Sequence, residues 1–242
     1  SLKPSGKTTI KLPKKFGASK AKGAVVELKV NNPTGDELFY LELYNKKGSA
    51  ERVTKNTSKN FLKYVDGGFY DGAIFHRSVP NFVLQGGGFS VPVVSSSEGG
   101  MPERINDFGT IDNQPGNSNL RGTVAMAKIG GQPDSATNQW FINLNDNFAL
   151  DSQNEGFTVF GKVLGSGMDV VEDLSSAEVF NFGGVVSQLP LWNPPDTTVG
   201  VQPDDYVTMD SARKLSAKKQ PFTLFAESAD DNLLKASVTN KQ

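Results

Sequence analysis

The only histidine of the chain, His76, stands beside Arg77 in the run Phe75 to Phe89, FHRSVPNFVLQGGGF. Phe82 and Val83 offer apolar walls there, and Gln85 offers an amide. A second run, Gly122 to Asn143, reads GTVAMAKIGGQPDSATNQWFIN and adds Gln139 and Phe141. An arginine is always charged and presents a rigid fork of donors. Held against apolar walls, such a cation stabilises electron density that develops on a bound group. Glutamines and backbone amides nearby could anchor the remainder of a polar ligand.

Other chemistries fit less well. The chain has no cysteine, which excludes disulfides and thiol chemistry and, with one histidine, argues against zinc. The missing cysteines do not fix a redox compartment. Gly86-Gly87-Gly88 lacks the following Lys-Ser/Thr of a phosphate loop and reads as a turn. Gly165-Ser166-Gly167 is not a nucleophile elbow, and a serine triad could draw only on His76. Taken singly, Arg77 reads as a surface ion-pairing residue, His76 as a partly buried structural one, and Phe82 and Phe141 as core. On strand-like runs their side chains could face either way.

Together the two runs resemble the cyclophilin family of peptidyl-prolyl cis-trans isomerases. The pattern HR-x-x-P-x-F-x-x-QGG is complete as His76, Arg77, Pro80, Phe82, Gln85, Gly86 and Gly87. The resemblance runs from about Glu37 to Ser175, with the segment near 207 fitting the family's last strand. It implies Arg77, Phe82, Gln139 and Phe141 as catalytic residues, with Arg77 facing the prolyl nitrogen and carbonyl. It implies His76, Val83, Gln85, Ala127, Lys128, Ile129, Phe148, Leu150 and Phe157 as substrate contacts. It also implies a mainly β fold: a closed eight-stranded antiparallel barrel with two helices, working without cofactor or metal. Ala149 stands where many eukaryotic members carry tryptophan, Phe157 where many carry histidine, and Lys128 and Ile129 where Asn and Ala are frequent. These departures resemble bacterial members and leave cyclosporin-type inhibition without support.

The residue types suit that reaction. Amide resonance sets a barrier of about 18–20 kcal/mol to rotation, while the cis and trans X–Pro states differ by only about 1 kcal/mol. Twisting makes the prolyl nitrogen pyramidal and frees its lone pair. A fixed cationic donor aimed at that nitrogen stabilises the twisted state over both planar ones. One charge-assisted hydrogen bond contributes about 1.5–3 kcal/mol, roughly 10- to 100-fold, so apolar packing and backbone anchoring must supply the rest.

The elements that must position these residues are short. Residues 24–30 and 38–44 form a hairpin across Asn32-Pro33-Thr34-Gly35-Asp36. Thr57 to Val65 reads as a helix capped by Thr57 or Ser58 and stopped at Gly67-Gly68. Strands are predicted at 73–77, 82–86, 122–127, 139–143 and 158–163, a helix at Met168 to Ser175, and a closing strand at Val207-Thr208-Met209. Many short strands with two helices favour a closed barrel. The proline-rich segment 176–204 reads as a long surface loop, and its Pro190 could enter a neighbouring molecule's pocket or its own. The tail could add a strand at Phe222–Phe225 and a helix near 229–236.

Charge divides the chain into a basic N-terminal extension, 1–23, with seven lysines and no acid; an acidic isomerase domain, 24–210; and a C-terminal extension, 211–242. The extension reads as a flexible leader, or as a dock for an anionic surface. No basic-aromatic interleaving points to nucleic acid, and no apolar run is long enough for a membrane span. The expected partners are proline-containing peptides and folding proteins, and the expected state is a monomer. Loss of a leader together with a folding role favours the bacterial periplasm, with the cytoplasm as alternative. A proline-segment chaperone or scaffold with little turnover is the alternative function.

Overall fold

The computed structural model describes residues 17–46, 51–92, 100–216 and 222–225. In chain order the elements are β1 (Gly17–Lys20), β2 (Val25–Val30), β3 (Glu37–Leu43), α1 (Lys55–Asp66), β4 (Ala73–Val79), β5 (Val83–Ser90), β6 (Glu103–Arg104), β7 (Thr123–Met126), β8 (Trp140–Asn143), β9 (Val159–Val163), α2 (Gly167–Ser175), β10 (Glu178–Phe180), β11 (Leu189–Leu191), β12 (Thr208–Lys214) and β13 (Phe222–Phe225). Eight of them run in the order β4-β12-β2-β3-β9-β7-β8-β5, and pairing of β5 with β4 closes the ring. Closure leaves these strands without a free edge. The short β6 extends from the end of β5, and β1 pairs with β13 in a separate ribbon.

Period-two alternation builds two apolar layers from the same strands. Leu84, Val124, Met126, Trp140, Ile142 and Phe160 point into the barrel. Their neighbours Val83, Ala125, Phe141 and Val159 form a second cluster on the outer face. The interior is filled by aromatic rings in tilted and edge-on contact. Phe61 meets Trp140 at 5.7 Å and Phe160 at 5.1 Å between centroids. α1 contributes Phe61, Tyr64 and Val65 to that interior, and α2 contributes Met168, Val171 and Leu174.

The hairpin of β2 and β3 forms as the sequence predicts. Asn32 accepts hydrogen bonds at Oδ1 from the Thr34 amide and hydroxyl, and Gly35 takes a φ of 128°. α1 starts earlier than expected. Thr57 and Ser58 do not cap it but lie buried inside its first turns. The amide and hydroxyl of Thr57 both donate to Gln114 Oε1 at 3.0 Å. A side chain from a distant loop thus satisfies a first-turn donor that a local cap would otherwise serve.

Two further expectations change. The closing strand does not end near 209: β12 continues to Lys214 and pairs with β2 as far as Lys214 opposite Val26, past the boundary drawn at 210. Segment 176–204 is not a plain surface loop. β10 and β11 pair within it, and Val186, Leu189, Leu191 and Val201 are buried with Tyr206 against Ile74 and Phe89 of the barrel. Pro190 is itself buried in β11, paired in register with Val179, so it occupies no pocket of its own chain. The strand at Phe222–Phe225 is present, whereas the helix near 229–236 and residues 1–16 lie outside the described residues.

Candidate active site

The outer cluster floors a cleft lined by Arg77, Phe82, Val83, Gln85, Ala127, Lys128, Phe141, Leu150 and Phe157. A single cross-strand row supplies its base. Arg77 on β4 stands opposite Gln85 on β5, Gln85 opposite Phe141 on β8, Phe141 opposite Ala125 on β7, and Ala125 opposite Val159 on β9. Residues in one such row present their side chains to one face. Fragments far apart in sequence are thereby set edge to edge.

Arg77 reaches this face through a β-bulge. The β4–β5 register shifts between Phe75 and Arg77, so Phe75 opposes Gly86 while Arg77 opposes Gln85. The guanidinium is half-buried and lies 5.9 Å from the centroid of the Phe82 ring. Its Nε donates to Gln188 Oε1 at 2.9 Å. Among the described residues its terminal nitrogens have no hydrogen-bond partner, which leaves them available to a ligand. Burial lowers its pKa, but an arginine remains cationic at neutral pH.

The amide side of the site is an internal pair. Gln85 Nε2 donates to Gln139 Oε1 at 2.9 Å. Glycines make room for it. A Cβ on Gly88 would stand 2.6 Å from the Gln139 side chain, and one on Gly87 would stand 2.7 Å from the Asn138 carbonyl. Gly86-Gly87-Gly88 is therefore not the turn expected from sequence but the middle of β5. Glycine serves there for close approach and for the φ of 83° at Gly87.

The apolar wall is held from behind. Phe141 is buried and meets Phe157 edge-on at 5.8 Å. The Phe82 carbonyl accepts from the Leu144 amide and from Asn147 Nδ2. Asn147 Nδ2 also donates to Asn143 Oδ1 at 2.8 Å. Lys128 lines the cleft, yet its ammonium donates to the carbonyls of Asn154 and Gly156 at 2.8 and 2.7 Å and sits 4.8 Å from the Phe157 ring. It braces the segment that carries Phe157.

Four expected site residues are not among those lining the cleft; one is Gln139, which is linked to the lining by its bond with Gln85. His76 is 2 % exposed and lies behind Gln85, with its Nε2 3.4 Å from Gln85 Nε2 and its ring edge-on to Phe89 at 4.8 Å. Burial pushes its pKa down to about 4, so it is neutral at pH 7. Ile129 and Phe148 are 59 % and 60 % exposed and are not among the lining residues. Gln188 and Asn147 are the participants that sequence reasoning missed. Neither belongs to the motif, and the proline-rich surroundings of Gln188 read as loop.

Comparison with known proteins decides the family. Residues 33–193 match the model of the cyclophilin type peptidyl-prolyl cis-trans isomerase domain. The chain belongs to the cyclophilin family. Curated relatives include a peptidyl-prolyl cis-trans isomerase of Acinetobacter baylyi, 41 % identical over 163 residues that span 66 % of this chain and 76 % of the relative. Another is peptidyl-prolyl cis-trans isomerase A of Dickeya dadantii, 42 % identical over 60 % of this chain and 69 % of the relative. The fold is also that of a solved cyclophilin-type isomerase from Cryptosporidium parvum, with a TM-score of 0.51 at 21 % identity, covering 80 % of this chain and 98 % of that one. This cyclophilin is thus an enzyme that accelerates rotation about X–Pro peptide bonds.

Proposed function

We propose that the cleft performs this isomerisation by the electrostatic route, with Arg77 as its central catalytic residue. One observation carries the reading. The guanidinium is fixed at Nε, while its terminal nitrogens are free beside an apolar wall of Phe82, Phe141, Leu150 and Phe157. A proline ring packed on that wall sets its nitrogen near the free donors. As the peptide bond twists, the nitrogen becomes pyramidal and accepts a bond from Arg77, which strengthens in the twisted state and weakens in either planar state. No proton need move, in keeping with a neutral, enclosed His76. Gln85 and Gln139 hold the adjoining peptide groups by their remaining amide capacity.

The substrates in this reading are proline-containing segments of folding proteins. A cyclophilin-type isomerase from Cryptosporidium parvum was solved in the presence of the dipeptide Ala-Pro, and its fold matches this chain with a TM-score of 0.50. A monomer acting in the bacterial periplasm is part of the same proposal. A chain without thiols has no disulfide to form in an oxidising compartment, and the curated relatives named above are bacterial enzymes. Cell fractionation and light scattering test those two points.

The test of the mechanism is NMR exchange of an X–Pro peptide with wild type and Arg77→Ala side by side. The variant is expected to bind the peptide and to lose about 10- to 100-fold in turnover, the value of one charge-assisted hydrogen bond. Unchanged turnover in a folded variant refutes the role of Arg77.

A further inference from the structure

Among the described residues, the one hydrogen bond between the segment joining α2 to β12 and a residue that lines the cleft is made at Arg77. Gln188 sits immediately before β11. Its backbone carbonyl accepts from the Ser78 amide of β4 at 2.9 Å, and its side-chain oxygen accepts from Arg77 Nε at 2.9 Å. It therefore grips two consecutive residues of the strand that carries the catalytic side chain. The next residues lock it there: Leu189 and Leu191 are buried with Ile74 of β4, Phe89 of β5 and Tyr206.

No motif residue does this work. Gln85 faces Arg77 across the β4–β5 pair but gives its amide donor to Gln139. Among the described residues Gln188 is the sole hydrogen-bond partner of the guanidinium. The chemistry of the contact fits a positioning role. A bond at Nε fixes the plane of the fork and leaves both terminal nitrogens to the substrate. An amide oxygen does so without a negative charge, whereas a carboxylate there would offset the field that the twisted prolyl nitrogen needs.

We propose that Gln188 is a positioning residue for the isomerisation, and that the β10–β11 excursion exists at the site to deliver it. The inference rests on Arg77 being the central catalytic residue. It differs in claiming that a side chain outside the two motifs determines how well that arginine works.

A double-mutant cycle on the full chain tests it, with X–Pro exchange measured for wild type, Gln188→Leu, Arg77→Ala and the double variant. Leucine keeps the bulk and removes the acceptor. Gln188→Asn, one methylene shorter, removes the reach and serves as the second variant should leucine disturb folding. In the Arg77 background turnover is expected to fall about 3- to 10-fold, the value of an ordinary hydrogen bond, with KM unchanged. In the Arg77→Ala background the same change is expected to have no effect. The side-chain Nε–H resonance of Arg77 is expected to lose its protection from solvent exchange in Gln188→Leu and to keep it in Gln188→Glu.

Equal losses in both backgrounds would show a merely structural role and overturn the inference. Full turnover in Gln188→Leu, while Arg77→Ala is impaired, overturns it and leaves the catalytic reading of Arg77 standing. Full turnover in Arg77→Ala overturns both.

Discussion

Phe75 and Arg77 are two residues apart on one strand and face opposite sides of the sheet. Phe75 is buried in the barrel interior, whereas Arg77 lines the outer cleft. A regular strand puts residues i and i+2 on the same face. The register shift at His76 reverses the alternation and turns the arginine outward. Without it the guanidinium would point into an aromatic core, where an unpaired charge is not tolerated. His76 is thus best understood as the extra residue of the bulge, packed behind the site.

Arg77→Lys separates charge from geometry. Lysine keeps the positive charge but has neither a group at Nε to meet Gln188 nor a planar fork. Turnover is expected to fall roughly 10-fold or more, since alignment and not charge alone sets the stabilisation of the twisted state. The melting temperature is expected to stay within a few degrees. X–Pro exchange and calorimetry check the two halves.

His76 makes stability depend on pH while turnover does not. Its folded pKa, about 4, lies below the ordinary histidine value of 6.5. Below pH 6.5 the unfolded chain takes up a proton that the folded chain refuses, so stability falls as pH drops through the window from 6.5 to 4. Between pH 6.5 and 5 the loss is on the order of 1–2 kcal/mol. Urea melts at the two pH values are expected to show it. A folded His76→Gln variant is expected to lose this slope, because the chain has no other histidine. Turnover per folded molecule is expected to be flat over the same range.

Neighbouring glycines of β5 are expected to respond differently to alanine. Gly87→Ala meets a backbone carbonyl at 2.7 Å and holds a φ of 83°. It is expected to destabilise by about 1–3 kcal/mol, read from denaturant melts. The atoms nearest to a Cβ on Gly88 all belong to the Gln139 side chain. That chain can swing away, so stability changes less, but the Gln85–Gln139 pair is broken. A rise in KM of roughly 3- to 10-fold is expected, one ordinary hydrogen bond's worth of anchoring.

Lys128→Met keeps the stem along Phe157 and removes the bonds to the carbonyls of Asn154 and Gly156. Relaxation of the segment bearing Phe157 is expected to raise KM about 3- to 10-fold with little change in kcat. A fall in kcat with KM unchanged would instead assign Lys128 to the twisted state.

The barrel was legible because its strands carry their own signals. The β-type runs at 24–30 and 38–44, the turn at Asn32–Asp36 and the short apolar runs near 83, 124, 141 and 160 each name an element locally. The motifs likewise mark Arg77, Phe82, Gln85 and Phe141 by residue type and spacing alone. Less legible were features set by distant partners. Gln114 replaces a local cap on α1, so Thr57 and Ser58 misled about where the helix begins. The prolines of 176–204 hid a hairpin, because Leu189 and Leu191 gain their stability from Ile74 and Phe89, far earlier in the chain.

Sequence by itself determined the family, the barrel and the residue types of the site, since periodicity and motif spacing are properties of neighbours along the chain. Only the tertiary structure decided that His76 lies behind the site, that Lys128 braces a loop, and that Gln188 holds Arg77. Each depends on which face a side chain meets after β4 slips by one residue and β11 docks beside it. A one-residue change of register reverses the facing of a strand, and spacing along the chain carries no record of what waits on the other side.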